Sequence, residues 1–391
     1  MSQSGDMVQI HLLTSYPAAL LNRDDAGLAK RIPFGQDRQG ERAMRVRISS
    51  QCLKKHWRDS QQITNLASGH KAVRSTRIYE QLVAGPLREQ GASEPEALAV
   101  AQYLMSETVD TKPVKTKDGR ETALSGQLLV LTRAETDFLA EVGVEILGRL
   151  REQGVSAATG ADVKKHAPLA DAAVRRAVKA LPASIDTALF GRMVTSDLFA
   201  RVDAAVSVAH ALTTHVEQAE TDYFTAVDTL KTEEDDAGAG LINDTELTSG
   251  VFYGYTVIDM NQLRDNLGQQ AELAEALARG LVQTMATVSP GAKKGSTAPY
   301  AYAEFVLLER GPEQPRTLAN AFLQPVQTQG ANVMRESAAR LLEYRRQLQE
   351  MYGESGEGAM ATISTIHEVP TDGAEHMPLR QALSTIFRTD G

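Results

Sequence analysis

Residues 44–58, MRVRISSQCLKKHWR, change period partway along. Met44, Val46 and Ile48 alternate with Arg45 and Arg47. A period of two puts three apolar side chains on one face of a strand and two guanidiniums on the other. Ser49 and Ser50 break the alternation and offer helix N-caps. Beyond them Leu53 and Trp57 recur at i, i+4, while Gln51, Lys54, Lys55 and Arg58 fall elsewhere on the helix. The spacing predicts a strand running into a helix whose first N–H groups point outward. Hydroxyls, an amide and several cations surround that start. Such a start favours an anion, and an extended polyanion would engage Arg45, Arg47, Ser49, Gln51, Lys54, Lys55 and Arg58 together.

Working outward, the chain of 391 residues is long enough for a sizeable core and more than one subdomain. Its 42% hydrophobic and 23% charged residues are globular values. No apolar run reaches the ~18 residues that span a bilayer, and the first residues, MSQSGDMVQI, lack the pattern of a secretory signal. One cysteine, Cys52, excludes an intrachain disulfide framework and suits a cytoplasmic location. The net charge of −9 argues at first against a polyanionic partner. Its distribution argues otherwise. Residues 23–58 hold ten Lys/Arg against four acids, whereas residues 216–240 hold eight acids against one lysine. A basic strip and an acidic projection on one chain also suit head-to-tail self-association.

Along the chain, residues 8–16 read as a first strand and 17–43 as a long loop. Helical spacing appears around 71–88, 94–106, 134–153 and 161–181, a region read as an inserted helical subdomain. Residues 201–215 read as a buried strand, 250–259 and 302–309 as further strands, and 260–288 as one long helix. Helices are expected at 316–325, 332–352 and 378–388, with coil at 353–376. The order β-α-(insertion)-β-β-α-β predicts an α+β fold with a ferredoxin-like or RRM-like sheet.

Most catalytic signatures are missing: there is no Walker A loop, no G-x-S-x-G, no H-E-x-x-H and no cysteine pair for zinc. GAKKGST at 291–297 has the wrong spacing for a phosphate loop and reads as a basic loop near a polyanion. NRDD at 22–25 offers an acidic pair, Asp24 and Asp25, for which a capped turn is the simpler assignment. Cys52 and Trp57 read as packed side chains, and His56, His210 and His215 as structural. Tyr223 and Phe224 stand out, because two adjacent aromatics in an acidic segment suit either a wedge that stacks on bases or packing against a neighbour.

NRDD at 22–25, RVRISSQ at 45–51 with Leu53 and Lys54, SIDTALFGRM at 184–193 with Thr195 and Ser196, AHALTTH at 209–215, DYFTAVD at 222–228, SGVFY at 249–253 and PGAK at 290–293 occur in this order. The ordered set resembles the CasC family, the backbone subunit of the type I-E CRISPR Cascade complex, over nearly the whole chain. The resemblance implies an RRM-like palm (residues 1–64, 183–215 and 252–391, the last with C-terminal helices), a helical fingers insertion at 65–182 and a protruding thumb at 216–251. It implies several copies head-to-tail along one CRISPR RNA, with target DNA and other Cascade subunits as partners and with no cofactor, metal or membrane. Guide contacts would fall on Arg23, Lys30, Ser49, Gln51, Lys54, Lys55 and Arg58. Met193 would press on bases, and Tyr223, Phe224 and Val227 would wedge at the thumb. This chain has Tyr223-Phe224 where the family commonly has Trp-Phe, and the tip 232–240 and the loop after Gly35 also differ. Related type III subunits cleave target RNA with an acidic residue, which would make Asp24 or Asp25 part of a metal-dependent endoribonuclease. Type I-E backbone subunits are regarded as non-catalytic, so no enzymatic activity is expected.

Overall fold

The computed structural model describes the chain except for residues 1–4, 68–70, 110, 158, 170–183, 193–200, 218, 227–240, 331, 354–359, 367–368, 370–373 and 388–391. It divides into two compact units, residues 1–66, 206–261 and 271–391, and residues 67–205 with 262–270. No helix among the described residues is long and apolar enough to cross a membrane.

The first unit is built on a mixed sheet of ten strands. These are β1 (Met7–Ala19), β2 (Arg31–Gln36), β3 (Arg42–Ile48), β4 (Val206–Val208), β5 (Ala211–Thr213), β6 (Ala219–Ala226), β7 (Leu241–Asp259), β8 (Ala303–Gly311), β9 (Met360–Thr365) and β10 (Glu375–His376). The order across the sheet is β10-β9-β8-β1-β7-β5-β3-β2, with β4 and β6 also paired to β7. β1 lies between β7 and β8, antiparallel to both. Its sequence, MVQIHLLTSYPAA, shows little polar alternation because both faces are covered: Val8 through Thr14 are all buried. On one face Leu13, Tyr253, Phe305 and Leu307 pack with Phe322, Met334 and Leu341. The last two belong to a 20-residue helix, Val333–Tyr352. Leu12, Thr14 and Phe252 lie with Leu53 and Trp57 of α1 (Ser50–Arg58) and Met285 of α2 (Ala271–Thr287).

A charged network is buried in this unit. His11 is fully buried and its Nδ1 shares a 2.9 Å hydrogen bond with the Tyr253 hydroxyl. Arg345 Nε donates to Glu309 Oε1 at 2.9 Å, and Arg316 stands 3.5 Å from the same oxygen. Burial pushes the His11 imidazole down, so it is neutral. Burial works against the Glu309 carboxylate, yet its contacts with His11, Arg345 and Arg316 prevail and hold it well below its ordinary range.

The second unit is largely helical. Its core is made by Leu87, Val100, Leu104, Leu139, Ile146 and Leu147, among others. Thr132 and Glu135 form a capping box at the start of helix Arg133–Glu152. The stretch SIDTALFGR, residues 184–192, serves this unit. Ser184 caps the helix Ile185–Phe190, and Asp186 pairs with Arg74 and accepts from Ala72 N–H at 2.9 Å. Arg192 is buried against Glu135, 2.6 Å from its Oε2.

Several sequence expectations are corrected here. The stretch 17–43 is not a loop throughout, since β2 pairs with β3 inside it. Pro33 and Gly35 hid that strand, and they sit where its register shifts. Residues 201–215 form two short strands rather than one. The 260–288 helix is interrupted at Gly268 and Gln269, both left-handed with φ of 64° and 67°. Only one turn of 3-10 helix, Ala319–Phe322, forms within 316–325. The expected coil at 353–376 carries β9 and β10. Of the 71–88 helix, Ala72–Ser75 is a strand.

Candidate nucleic-acid interface

One end of the sheet gathers most of the residues singled out from sequence. β1 ends at Ala19, and the chain then reaches Asn22, whose Oδ1 accepts from Ser49 N–H at 2.9 Å. The Ser49 hydroxyl accepts from Cys52 N–H at 3.3 Å and so caps α1. The first turn of α1 carries no acidic side chain, leaving the positive end of the helix dipole uncompensated, while Lys55, His56 and Arg58 lie in its last turn. Leu53 and Trp57 are buried and hold the helix to the sheet, which leaves Gln51 and Lys55 exposed.

The basic groups meet around the end of β3. Arg47 N–H donates to Lys30 O at 2.8 Å, and Lys30 N–H to Asn22 O at 3.0 Å. Arg47 Nη1 lies 2.9 Å from His210 Nδ1. Burial, with Arg47 and Lys30 nearby, pushes the His210 imidazole down, so it accepts that bond as a neutral ring. Burial and Arg58 push the half-buried Lys54 ammonium down. Lys55 pairs with Asp59 at 3.1 Å on the surface. Arg23 faces Ala29 across a short bridge at the start of the same segment.

Arg45 does not belong to this surface. It is fully buried, and its guanidinium donates to the carbonyls of Phe34 (3.2 Å), Thr213 (3.0 Å) and Phe322 (2.6 Å). Burial pushes it down to about 10. The expected outer face of β3 is covered at this point by residues around Phe322, so a guanidinium there must satisfy backbone oxygens instead of solvent or ligand. Met44, expected to face inward, is exposed. Ser49 is likewise buried, with its hydroxyl committed to the cap. Arg31 is also spent within the chain, on Glu217 and Glu246. Asp24 is the cap of a turn, Oδ1 accepting from Ala26 and Leu28 N–H, each at 3.0 Å. Among the described residues no group of three or more His, Cys, Asp or Glu side chains is placed to hold a metal ion. Cys52 is half-buried 3.8 Å from His56 Nδ1, and burial pushes its thiol up, opposed by Lys55 and Lys30.

A two-stranded ribbon leaves the same end of the sheet. β6 pairs with the first part of β7, so that Tyr223 lies opposite Asp244 and Phe224 opposite Asn243. Tyr223 and Phe224 occupy consecutive positions of β6; Val227, Met193 and the tip 232–240 lie outside the described residues. At the ribbon's root His215 Nε2 accepts from Val251 N–H at 3.2 Å.

The loop 289–302 completes this end, and its role was not legible in sequence beyond its basic charge. Ala292 N–H donates to Leu20 O at 2.9 Å, and His56 Nε2 lies 3.3 Å from Gly291 O, so the loop is tied to both β1 and α1. It carries Lys293, which is exposed, and Lys294, whose ammonium donates to Ser289 O at 3.4 Å. His210 and Asn22 were also missed as partners of Arg47 and Ser49, because contacts between elements leave no mark on local spacing.

The chain belongs to the CT1975-like protein family, whose model matches residues 8–387. It is also similar to a chain of a solved structure described as a CRISPR RNA-guided surveillance complex, pre-nicking. The TM-score is 0.82 and the identity 25%, covering 97% of this chain and 100% of that one. A second, described as a CRISPR RNA-guided surveillance complex, aligns with a TM-score of 0.69 and 22% identity over 97% and 99% of the two chains, a likeness of fold. Comparison with curated protein sequences gives no match.

Proposed function

We propose that this protein is a non-catalytic backbone subunit of a type I-E CRISPR Cascade complex, of the CasC kind, that grips a CRISPR RNA guide. The observation that carries the proposal is the start of α1, free of acidic side chains, with Lys30, Arg47 and Gln51 near it and Lys54, Lys55 and Arg58 further along the same helix, at one end of the sheet. The similarity to chains of RNA-guided surveillance complexes supports it. The strand order β8-β1-β7-β4, with α1 and α2 in the connections, supports an RRM-like palm. The second unit would be the fingers and the β6–β7 ribbon the thumb, whose Tyr223 and Phe224 wedge at the guide–target pairing.

Guide phosphates would take the backbone donors and cations, so the protein reads charge and shape, and guide pairing to target DNA reads sequence. Copies would line up head-to-tail on one guide, in a cytoplasmic ribonucleoprotein with other Cascade subunits. Asp24 is occupied by its turn, which favours gripping over cleavage at this end of the sheet.

Charge reversal at Lys54 and Arg58 tests the proposal. The assembly purified after co-expression with a guide should lose its RNA, and retention of full-length guide would refute the assigned surface. Affinity for single-stranded RNA should fall with salt at a slope of about −0.7 per phosphate neutralised.

A further inference from the structure

Pro299-Tyr300-Ala301-Tyr302 follows the basic loop and leads into β8. Tyr300 and Tyr302 are 71% and 69% exposed, among the most exposed large hydrophobic residues described. Tyrosines so open are unusual, because each leaves a large apolar ring in water. Pro299 between loop and ring is buried, which fixes the direction in which Tyr300 leaves the body.

The backbone around them is held firmly. Ser289 Oγ accepts from Ala301 N–H at 2.8 Å and lies 2.9 Å from Ala301 O as donor. Lys293 and Ala298, at either end of the turn 294–297, are both left-handed, with φ of 47° and 40°. For residues with a β-carbon this conformation is strained, and it persists where surrounding bonds over-determine the backbone. Here those bonds are Ala298 N–H to Lys294 O (2.9 Å), Ala292 N–H to Leu20 O (2.9 Å) and the Ser289 pair. The loop therefore pays little further ordering entropy when a ligand arrives.

Lys294 Nζ lies 5.8 Å from the centroid of the Tyr300 ring, and Lys293 is exposed beside it. A cation beside the open Tyr300 ring, with Lys293 and Tyr302 exposed close by in the chain, matches the needs of a single nucleotide: a phosphate to neutralise and a base to stack. The location fits as well. Thr14 pairs with Ala303, so the loop enters β8 opposite the middle of β1, and its Ala292 N–H reaches Leu20 O, just past the end of β1 and two residues before Asn22, which binds Ser49 at the start of α1. A strand of RNA gripped at α1 needs only to continue across the end of the sheet to reach Tyr300.

We propose that Tyr300 and Tyr302, with Lys293 and Lys294, form a stacking site for an unpaired nucleotide of the bound guide RNA. The proposal rests on the guide-gripping role given to α1. Its ligand class is a single-stranded RNA base with its phosphate. A second protein copy seated on the two rings is the competing outcome.

The test uses the full-length protein and a single-stranded RNA of guide sequence carrying 4-thiouridine, with crosslinked residues mapped by mass spectrometry. Crosslinks at Tyr300 or Tyr302 together with the 47–58 segment are expected. Crosslinks at 47–58 with none at 299–302 overturn the stacking site and leave the gripping role standing; none at either place overturns both. Tyr300→Ala should weaken binding about tenfold without changing the salt slope, and Tyr300→Phe should stay within about twofold of wild type. Lys294→Ala should instead reduce the slope by about 0.7. Wild-type affinity in Tyr300→Ala, or protection of Tyr300 by a second copy in the absence of RNA, overturns the stacking site.

Discussion

The imidazole of His215 fills the space that a β-carbon on Gly250 would need: such an atom would lie 2.3 Å from Nε2 and 2.6 Å from Cε1. Gly250 also has φ of 141°, which favours glycine in its own right. The ring is placed by two bonds. Its Nδ1–H donates to Val216 O at 2.8 Å, and Nε2 accepts from Val251 N–H at 3.2 Å. Residues 215–216 enter the ribbon and residues 250–251 leave it, so one side chain clamps both stems. Two sequence motifs far apart in the chain, AHALTTH and SGVFY, are one object in space.

Gly250→Ala should therefore destabilise the protein by at least about 2 kcal/mol, through both the clash and the backbone strain. His215→Ala removes the acceptor of a buried N–H and should cost about 1–3 kcal/mol. Denaturant titration of each variant measures this, and an unchanged midpoint in Gly250→Ala would show that the interlock is not formed.

Acid should weaken the fold in a defined window. Burial pushes both His215 and His11 below their ordinary value of 6.5, so both are neutral in the folded protein. The unfolded chain takes up protons near 6.5, while the folded one takes them up only at lower pH. Stability is thus fully present above that value and declines as pH falls below it. The melting midpoint at about pH 5.5 should lie below that at about pH 7.5, and His215→Gln, which accepts the Val251 N–H without titrating, should narrow the gap. Equal shifts in the variant and the parent would remove His215 as a cause.

Arg45 and Arg47 should behave as opposites although they are two residues apart. Arg45→Ala leaves the carbonyls of Phe34, Thr213 and Phe322 without their donor and should cost about 3 kcal/mol. Arg47→Ala, at the surface beside His210, should change stability by less than about 0.5 kcal/mol but weaken RNA binding. Similar stability losses in both would contradict the burial described for Arg45.

Alanine at Tyr223 and Phe224 should impair target engagement more than guide retention. Filter binding of complementary DNA to the guide-loaded assembly, set beside its RNA content, compares the two. Equal loss of both would place these aromatics in packing instead of at the bases.

The sequence made the strand–helix joint legible because two periods meet at Ser49 and both are enforced locally. Leu53 and Trp57 are buried as their i, i+4 spacing requires. The opposite face of the same strand was misread at Arg45, since alternation says which residues share a face but not whether something covers it. The cover there comes from residues near Phe322, nearly 280 positions away. β2 escaped notice because Pro33 and Gly35 mimic a turn. Gly35 is needed because a β-carbon there would lie 1.7 Å from Leu323 O. Tyr300 carries no local signal in the sequence, and only the tertiary position of its loop, tied to Leu20 and His56, makes it a candidate contact.

β7 runs 19 residues without a break, from the middle of the sheet out along the ribbon. Opposite its position 250, the register with β1 slips between Tyr16 and Ala19. A continuous strand is a stiff lever, and a bulge facing it is a pivot. The His215 interlock sits at this same level, so β7 carries the ribbon and the central strands on one backbone whose irregularity at Gly250 is held by a buried side chain.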